Sequence, residues 1–151
     1  ETAMTPLETK VRALFDGYGK RADDALQDPP REDIDGIVGA FAPYFVGSNP
    51  KGVFGGPNGD KLRAMIPQGY ARYRAVGGRH MTVKGINVIE LDHCHAVADV
   101  DWDFAYTNRA GQSGHVTFTN FYFVTIAGGT PLIFGYVTPD EEQAMHDHGL
   151  V

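Results

Sequence analysis

Cysteine is almost absent from this sequence. Cys94 stands alone, so no internal disulfide can form, and a reducing compartment such as the cytoplasm is the expected setting. Long apolar runs are absent too. No stretch approaches the ~20 residues that a membrane-spanning helix requires, and no charged-then-apolar leader precedes Thr5. Positive charge is scarce: 13 Lys and Arg against 19 Asp and Glu leave a net charge of −6. That balance favours solubility and argues against a polyanion such as nucleic acid as partner. What remains is ordinary for a globular chain, with 42% hydrophobic and 21% charged residues over 151 positions. We expect a single domain over 1–151, with Glu1–Met4 left out of the fold reading.

Thr5-Pro6-Leu7-Glu8 has the form of a helix start: a capping hydroxyl, a proline at the first helical position and a glutamate placed to close a capping box. Val11, Leu14, Phe15, Tyr18, Ala22 and Ala25 then recur at helical spacing, until Asp28-Pro29-Pro30 stops the helix. A second helix is predicted from about Arg31, with Ile34, Ile37, Val38 and Phe41 on one face and Pro43 limiting its length. The glycine-rich stretch from Gly47 to Gly59 reads as loop, with a short extended piece at Val53-Phe54. Asn58-Gly59-Asp60 offers the cap of a third helix with Leu62, Met65, Ile66, Tyr70 and Tyr73 inward. Pro67 is expected to kink or split it, and Gly77-Gly78 to end it.

From Arg79 the period changes to two. Met81, Val83, Ile89 and Leu91 alternate with polar residues as far as a turn at Asp92-His93, and Ala96, Ala98, Val100, Trp102, Phe104 and Tyr106 alternate with Asp99, Asp101 and Asp103. If that turn joins the two strands, Trp102 faces Val83, Phe104 faces Met81, and Asp101 meets Lys84 on the other side. After a loop at Asn108–Gly114, a third long strand, His115–Ile126, places Val116, Phe118, Asn120, Tyr122, Val124 and Ile126 on one face. Gly128-Gly129 turns into a last strand, Pro131–Val137. Thr138-Pro139-Asp140-Glu141 then repeats the helix-start pattern, and Gly149 ends a short C-terminal helix. Three helices followed by a meander of long antiparallel strands is α+β, with the helices on one face of a curved sheet.

This order of elements resembles the nuclear transport factor 2-like superfamily, the cone-shaped fold of ketosteroid isomerases and SnoaL-like polyketide cyclases. The resemblance covers essentially the whole chain. Asp33-Ile34-x-x-Ile37-Val38-x-x-Phe41-Ala42, then Asn49-Pro50, is similar to the isomerases' D-I-x-x-I-V-x-x-F-A followed by D-P. It implies a curved antiparallel sheet whose concave face is wrapped by three N-terminal helices around a cavity. In the isomerases the aspartate of D-P is the general base; this chain has Asn49, and a carboxamide cannot accept a proton at neutral pH. Asn49 can orient a water or a substrate oxygen, and Asn-Pro is also an ordinary turn pair. By the same resemblance Tyr122 falls near the isomerases' protonated aspartic acid and Tyr18 near their oxyanion tyrosine.

Ligand-binding candidates are therefore Tyr18, Tyr44, Asn49, Trp102, Asn120 and Tyr122, with Phe15, Phe41, Phe118 and Phe134 as apolar lining. Asn120 stands out because an amide on an apolar inward face needs partners or a wet pocket. His93-Cys94-His95, His146 and His148 read as exposed, and no spacing marks a metal site. The aspartate row at 99, 101 and 103 reads as a solvated ion-pair face near Lys84, Arg79 and His80. No cofactor is called for. Two classes stay open: a non-catalytic domain binding a small hydrophobic molecule, and a cofactor-independent isomerase, cyclase or dehydratase acting on a small hydrophobic carbonyl or cyclic compound. A homodimer is expected through the open face of the sheet, around Phe121 and Phe123 with Ile133 and Val137 beside them.

Overall fold

Helix α1 starts where the Thr-Pro-x-Glu pattern places it: Thr5 Oγ1 accepts from Glu8 N at 3.1 Å, and α1 covers Pro6–Ala25. The structure, a computed structural model, describes residues 3–151; Glu1 and Thr2 lie outside the described residues. The second helix is shorter than its apolar pattern predicts. α2 is only Ile34–Val38, capped by Asp33, and the chain has become strand by Phe41. The helix pattern runs into Gly36, Gly39 and Pro43, while the aromatic and β-branched run that follows finds two strand partners.

The stretch that reads as loop is mostly a hairpin. Phe41–Asn49 form β1 and Gly52–Pro57 form β2, paired antiparallel from Tyr44↔Pro57 to Asn49↔Gly52. Asn58 does not cap the next helix. Its amide Nδ2 donates to the Val38 and Phe41 carbonyls and pins the start of β1, leaving Gly59 as a cap without a side-chain bond. Helix α3 runs unbroken from Asp60 to Ala75 across Pro67, with Leu62 buried and Met65 exposed. Gly77 turns out of it at φ +98, where a Cβ would come within 2.1 Å of the Thr107 carbonyl oxygen.

The remaining strands are β3 (Gly78–Glu90), β4 (His95–Thr107), β5 (Ser113–Thr125) and β6 (Leu132–Val137), followed by α4 (Glu141–Asp147). The cap of α4 is Asp140, two residues later than the repeated Thr-Pro pattern indicates. All six strands form one mixed sheet in the order β2-β1-β6-β5-β4-β3, with β1 parallel to β6 and every other pair antiparallel. The fold is thus α+β as expected, but the sheet is not purely antiparallel. No helix among the described residues is long and apolar enough to cross a membrane.

Two bulges correct the predicted faces. Trp102 pairs with Val83 and Phe104 with Met81, as expected, but Asp101 pairs with Gly85, because Lys84 is an extra residue in β3. Beyond it the parity inverts. Ile86 and Val88 join the core, whereas Ile89 and Leu91 are exposed. In β6, Phe134 is the extra residue between the pairs Phe123↔Gly135 and Val124↔Ile133. Ile133 is fully buried, and Phe134 packs on Phe123, 6.0 Å between rings, across the sheet's open face. Their expected roles are exchanged.

The aspartate row does lie on that open face. Asp101 accepts from Thr119 at 2.7 Å and Asp103 pairs with His115 at 2.9 Å, rather than with Lys84, Arg79 or His80. Asp103 is buried, so that end of the row is not solvated. The inverted parity sets a test: Ile86→Asp should cost about 2–4 kcal/mol in urea denaturation, and Ile89→Asp less than about 0.5.

Candidate functional site

Along β4 the inward side chains run Ala96, Ala98, Val100, Trp102 and Phe104, all nearly inaccessible. α1 lies across β3 and β4. Near Trp102 the small residues give way to large ones, and a chamber of about 90 Å³ forms between α1, α3 and the sheet. Tyr18 and Ala22 line it from α1, Tyr70 and Tyr73 from α3, and Met81, Trp102, Phe118, Asn120 and Tyr122 from β3, β4 and β5. Four of the six sequence candidates therefore meet: Tyr18, Trp102, Asn120 and Tyr122.

The Tyr122 hydroxyl is the chamber's polar centre. It accepts from Trp102 Nε1 at 3.1 Å and from Asn120 Nδ2 at 3.0 Å. With both acceptor positions engaged, its own proton is available as a donor. Asn120 Oδ1 is buried without a hydrogen-bond partner among the described residues. Tyr18 packs edge-on against Trp102, Tyr122 and Phe41 at 6.1–6.2 Å. Burial pushes the phenols up: Tyr70 to about 12, and Tyr18, Tyr73 and Tyr122 well above the usual tyrosine value. The donated bonds from Asn120 and Trp102 only partly offset this at Tyr122. At neutral pH all four are protonated donors in an apolar setting.

The other two candidates stand elsewhere. Tyr44 is 66% exposed on the open face of β1, outside the chamber. The strand begins at Phe41, so residue parity, not helical spacing, sets its direction. Asn49 ends β1, and its Oδ1 accepts from Lys51 N at 2.9 Å, the geometry of an ordinary Asn turn. It opens onto a separate cleft of about 190 Å³, shared with Lys51, Arg72, Tyr73, Glu141, Glu142 and Met145. Tyr73 lines both spaces, and its hydroxyl donates to Glu141 Oε1. Burial raises the Glu141 pKa, and the Tyr73 bond and Arg72 offset part of that rise.

Phe134 leaves the lining because of its bulge; Tyr136 takes the inward place, stacked on Phe45 and edge-on to Phe54. These three rings wall a further apolar groove of about 300 Å³ between β2 and the start of α3. Tyr70 and Tyr73 were legible as an inward pair three residues apart on a helix. Glu141 carried no such signal, since a glutamate in a first helical turn is usually solvated.

No group of three or more His, Cys, Asp or Glu positioned for a metal occurs among the described residues, and His95 pairs with Asp92 at 2.9 Å. The Tyr122 junction can be checked directly. Tyr122→Phe strands the Asn120 and Trp102 donors and should cost roughly 2–3 kcal/mol in chemical denaturation, whereas Asn120→Leu, which removes an unpaired oxygen, should change stability by less than about 1 kcal/mol.

No family model matches the chain, and no curated protein does. Solved structures do. Aln2 from a Streptomyces species aligns with a TM-score of 0.68 at 14% identity, over 97% of this chain and 99% of its own. An NTF2-like protein with a cystatin-like fold from Novosphingobium aromaticivorans aligns at 0.66 and 12% identity, over 96% and 88%. A ketosteroid isomerase-like protein from Erwinia carotovora atroseptica aligns at 0.61 and 16% identity, over 90% and 97%. Likeness at such identities speaks to the fold: the chain has the cystatin-like α+β fold that these solved structures share.

Proposed function

We propose that this domain binds a small, largely apolar molecule carrying at least one hydrogen-bonding oxygen, held in the tyrosine-lined chamber. The observation that supports this is the Asn120–Tyr122–Trp102 junction: a buried amide oxygen without a partner and a phenolic proton free to donate, both among aromatic walls. A hydroxyl or enol on the ligand satisfies both at once. The chamber is small beside the usual range of ligand pockets, and the cleft across Tyr73 offers the additional room. The carboxamide at position 49, already engaged with Lys51, supports a site without the isomerases' base. Native mass spectrometry after mild extraction should find a small organic molecule carried by the protein. Asn120→Leu should retain about tenfold less, the equivalent of one lost hydrogen bond. A ligand-free wild type, or equal retention by Asn120→Leu, counts against the reading.

We propose also that a second copy covers the open face. Tyr44, Val46, Phe121 and Val137 are 66%, 50%, 40% and 44% exposed there. Strand pairing joins them, since Val137 faces Phe121 and Gly135 links Val46 to Phe123. Such a patch is large for a monomer, and a two-fold pairing buries it on both copies. Asp99 pairs directly with Phe121 across β4 and β5, so the patch borders the aspartate row, which a dimer would keep hydrated at its edge. Light scattering on a size-exclusion column at micromolar concentration should give twice the 16.4 kDa chain mass, and Phe121→Lys should return it to one.

A further inference from the structure

Among the described residues Tyr73 alone lines both the chamber and the cleft beside Asn49. Its place on α3 explains this. A helical side chain leans back over the residues three and four positions earlier, which for Tyr73 are Tyr70 and Gly69. Tyr70 stands on the chamber side, edge-on to the Tyr73 ring at 6.1 Å, and Phe104 backs that ring at 5.5 Å. Gly69 stands on the cleft side and offers no bulk: a Cβ there would meet nothing within 4 Å. The sheet side of the chamber lacks this freedom, since Trp102 and Tyr122 are bonded to each other on strands that have neighbours on both sides. A second element holds the Tyr73 ring in place. Its hydroxyl donates to Glu141 Oε1 at the start of α4, and no ion pair of Glu141 competes among the described residues, because Lys51 and Arg72 both turn to Glu142.

We propose that Tyr73 is the gate of the chamber. Latched by Glu141, it separates the two spaces; swung over Gly69 into the cleft, it joins them and lets a small ligand pass. The proposal rests on the binding reading above and adds the route by which that ligand enters and leaves. The movement is a side-chain rotation between staggered positions, so α3 itself need not shift. It breaks one hydrogen bond and moves the ring into space that is already open, whereas withdrawing Trp102 or Tyr122 would break the junction at the chamber's polar centre. The latch depends on α4 keeping its place. A helix of seven residues does not sustain itself, and α4 is fixed by Met145 buried beneath it and by the Glu142 contacts to Lys51 and Arg72.

4-Fluorophenol provides the test, being a single ring with one hydroxyl. Fluorine NMR distinguishes free from bound probe, and line shapes with saturation transfer give the rates of entry and release. The Trp102 indole and Asn120 amide signals report that the probe occupies the chamber. Tyr73→Phe keeps the ring and removes the latch, so entry and release should both quicken about tenfold, the equivalent of one lost hydrogen bond. Gly69→Leu puts bulk where the ring has to pass and should slow both at least about fivefold, the low end of what a steric clash costs. Replacing an exposed glycine inside α3 also favours the helix, so this variant folds. The surface control Asp16→Asn should match the wild type. Parallel changes in entry and release mark a barrier, because a change in binding strength alters their ratio. Exchange that either substitution leaves unchanged, or that both move in the same direction, overturns the gate and leaves the binding reading standing. No bound signal and no shift at Trp102 or Asn120 overturns both.

Discussion

The close approach of α1 to β3 and β4 is the contact on which the rest depends. Gly19 makes it possible: it is buried in the helix, and a Cβ there would sit 3.1 Å from the Val83 Cγ2. Under the helix, Ala96, Ala98 and Val100 present little bulk, so apolar side chains such as Val11 and Phe15 reach the sheet directly. Asp23 then fastens the helix end to the strand, accepting from Met81 N at 3.0 Å and pairing with His80 at 3.0 Å. Beside Gly19 the helix meets Trp102 and Tyr122 through the edge of the Tyr18 ring, with Tyr70 and Tyr73 of α3 opposite. The space left there is the chamber.

Its polarity follows from the same geometry. A tyrosine hydroxyl deep in an apolar core is costly without partners, and Tyr122 finds two close by, Trp102 on β4 and Asn120 on its own strand. Satisfying Tyr122 turns the Asn120 amide so that its oxygen is left over. The unpaired oxygen is thus a consequence of how the phenol is solved, and it is the feature on which the proposed binding of an oxygen-bearing ligand rests.

The wall between chamber and cleft depends on the chain's last helix. α4 is short, with Met145 buried beneath it, and its first two residues connect it to the rest: Glu141 to Tyr73, Glu142 to Lys51 and Arg72. The exposed ion pairs contribute little individually. The Glu141 contact is of another kind, because it brings a part-buried carboxylate to the hydroxyl of a ring that also borders the chamber.

Local chemistry was enough to determine the helix start at Thr5, the three long strands, the inward row of β5 and the Trp102–Val83 pairing, because each rests on spacing within one segment or between neighbours across a single turn. The resemblance in element order, with the pattern from Asp33 to Pro50, led to the fold that the solved structures share, although those residues form a five-residue helix and a strand where a longer helix was expected. What the sequence could not express were the events that change parity. A bulge at Lys84 or Phe134 adds one residue without leaving a mark in composition, and each moves the side chains beyond it to the other face. The parallel pairing of β1 with β6 joins segments about 90 positions apart, and no local pattern encodes it. The cleft carboxylate is of the same origin. Glu141 reads as a solvated first-turn residue until the tertiary fold sets α4 against Tyr73, where it is partly buried, hydrogen-bonded to a phenol and shifted upward in pKa, none of which its neighbours in sequence predict.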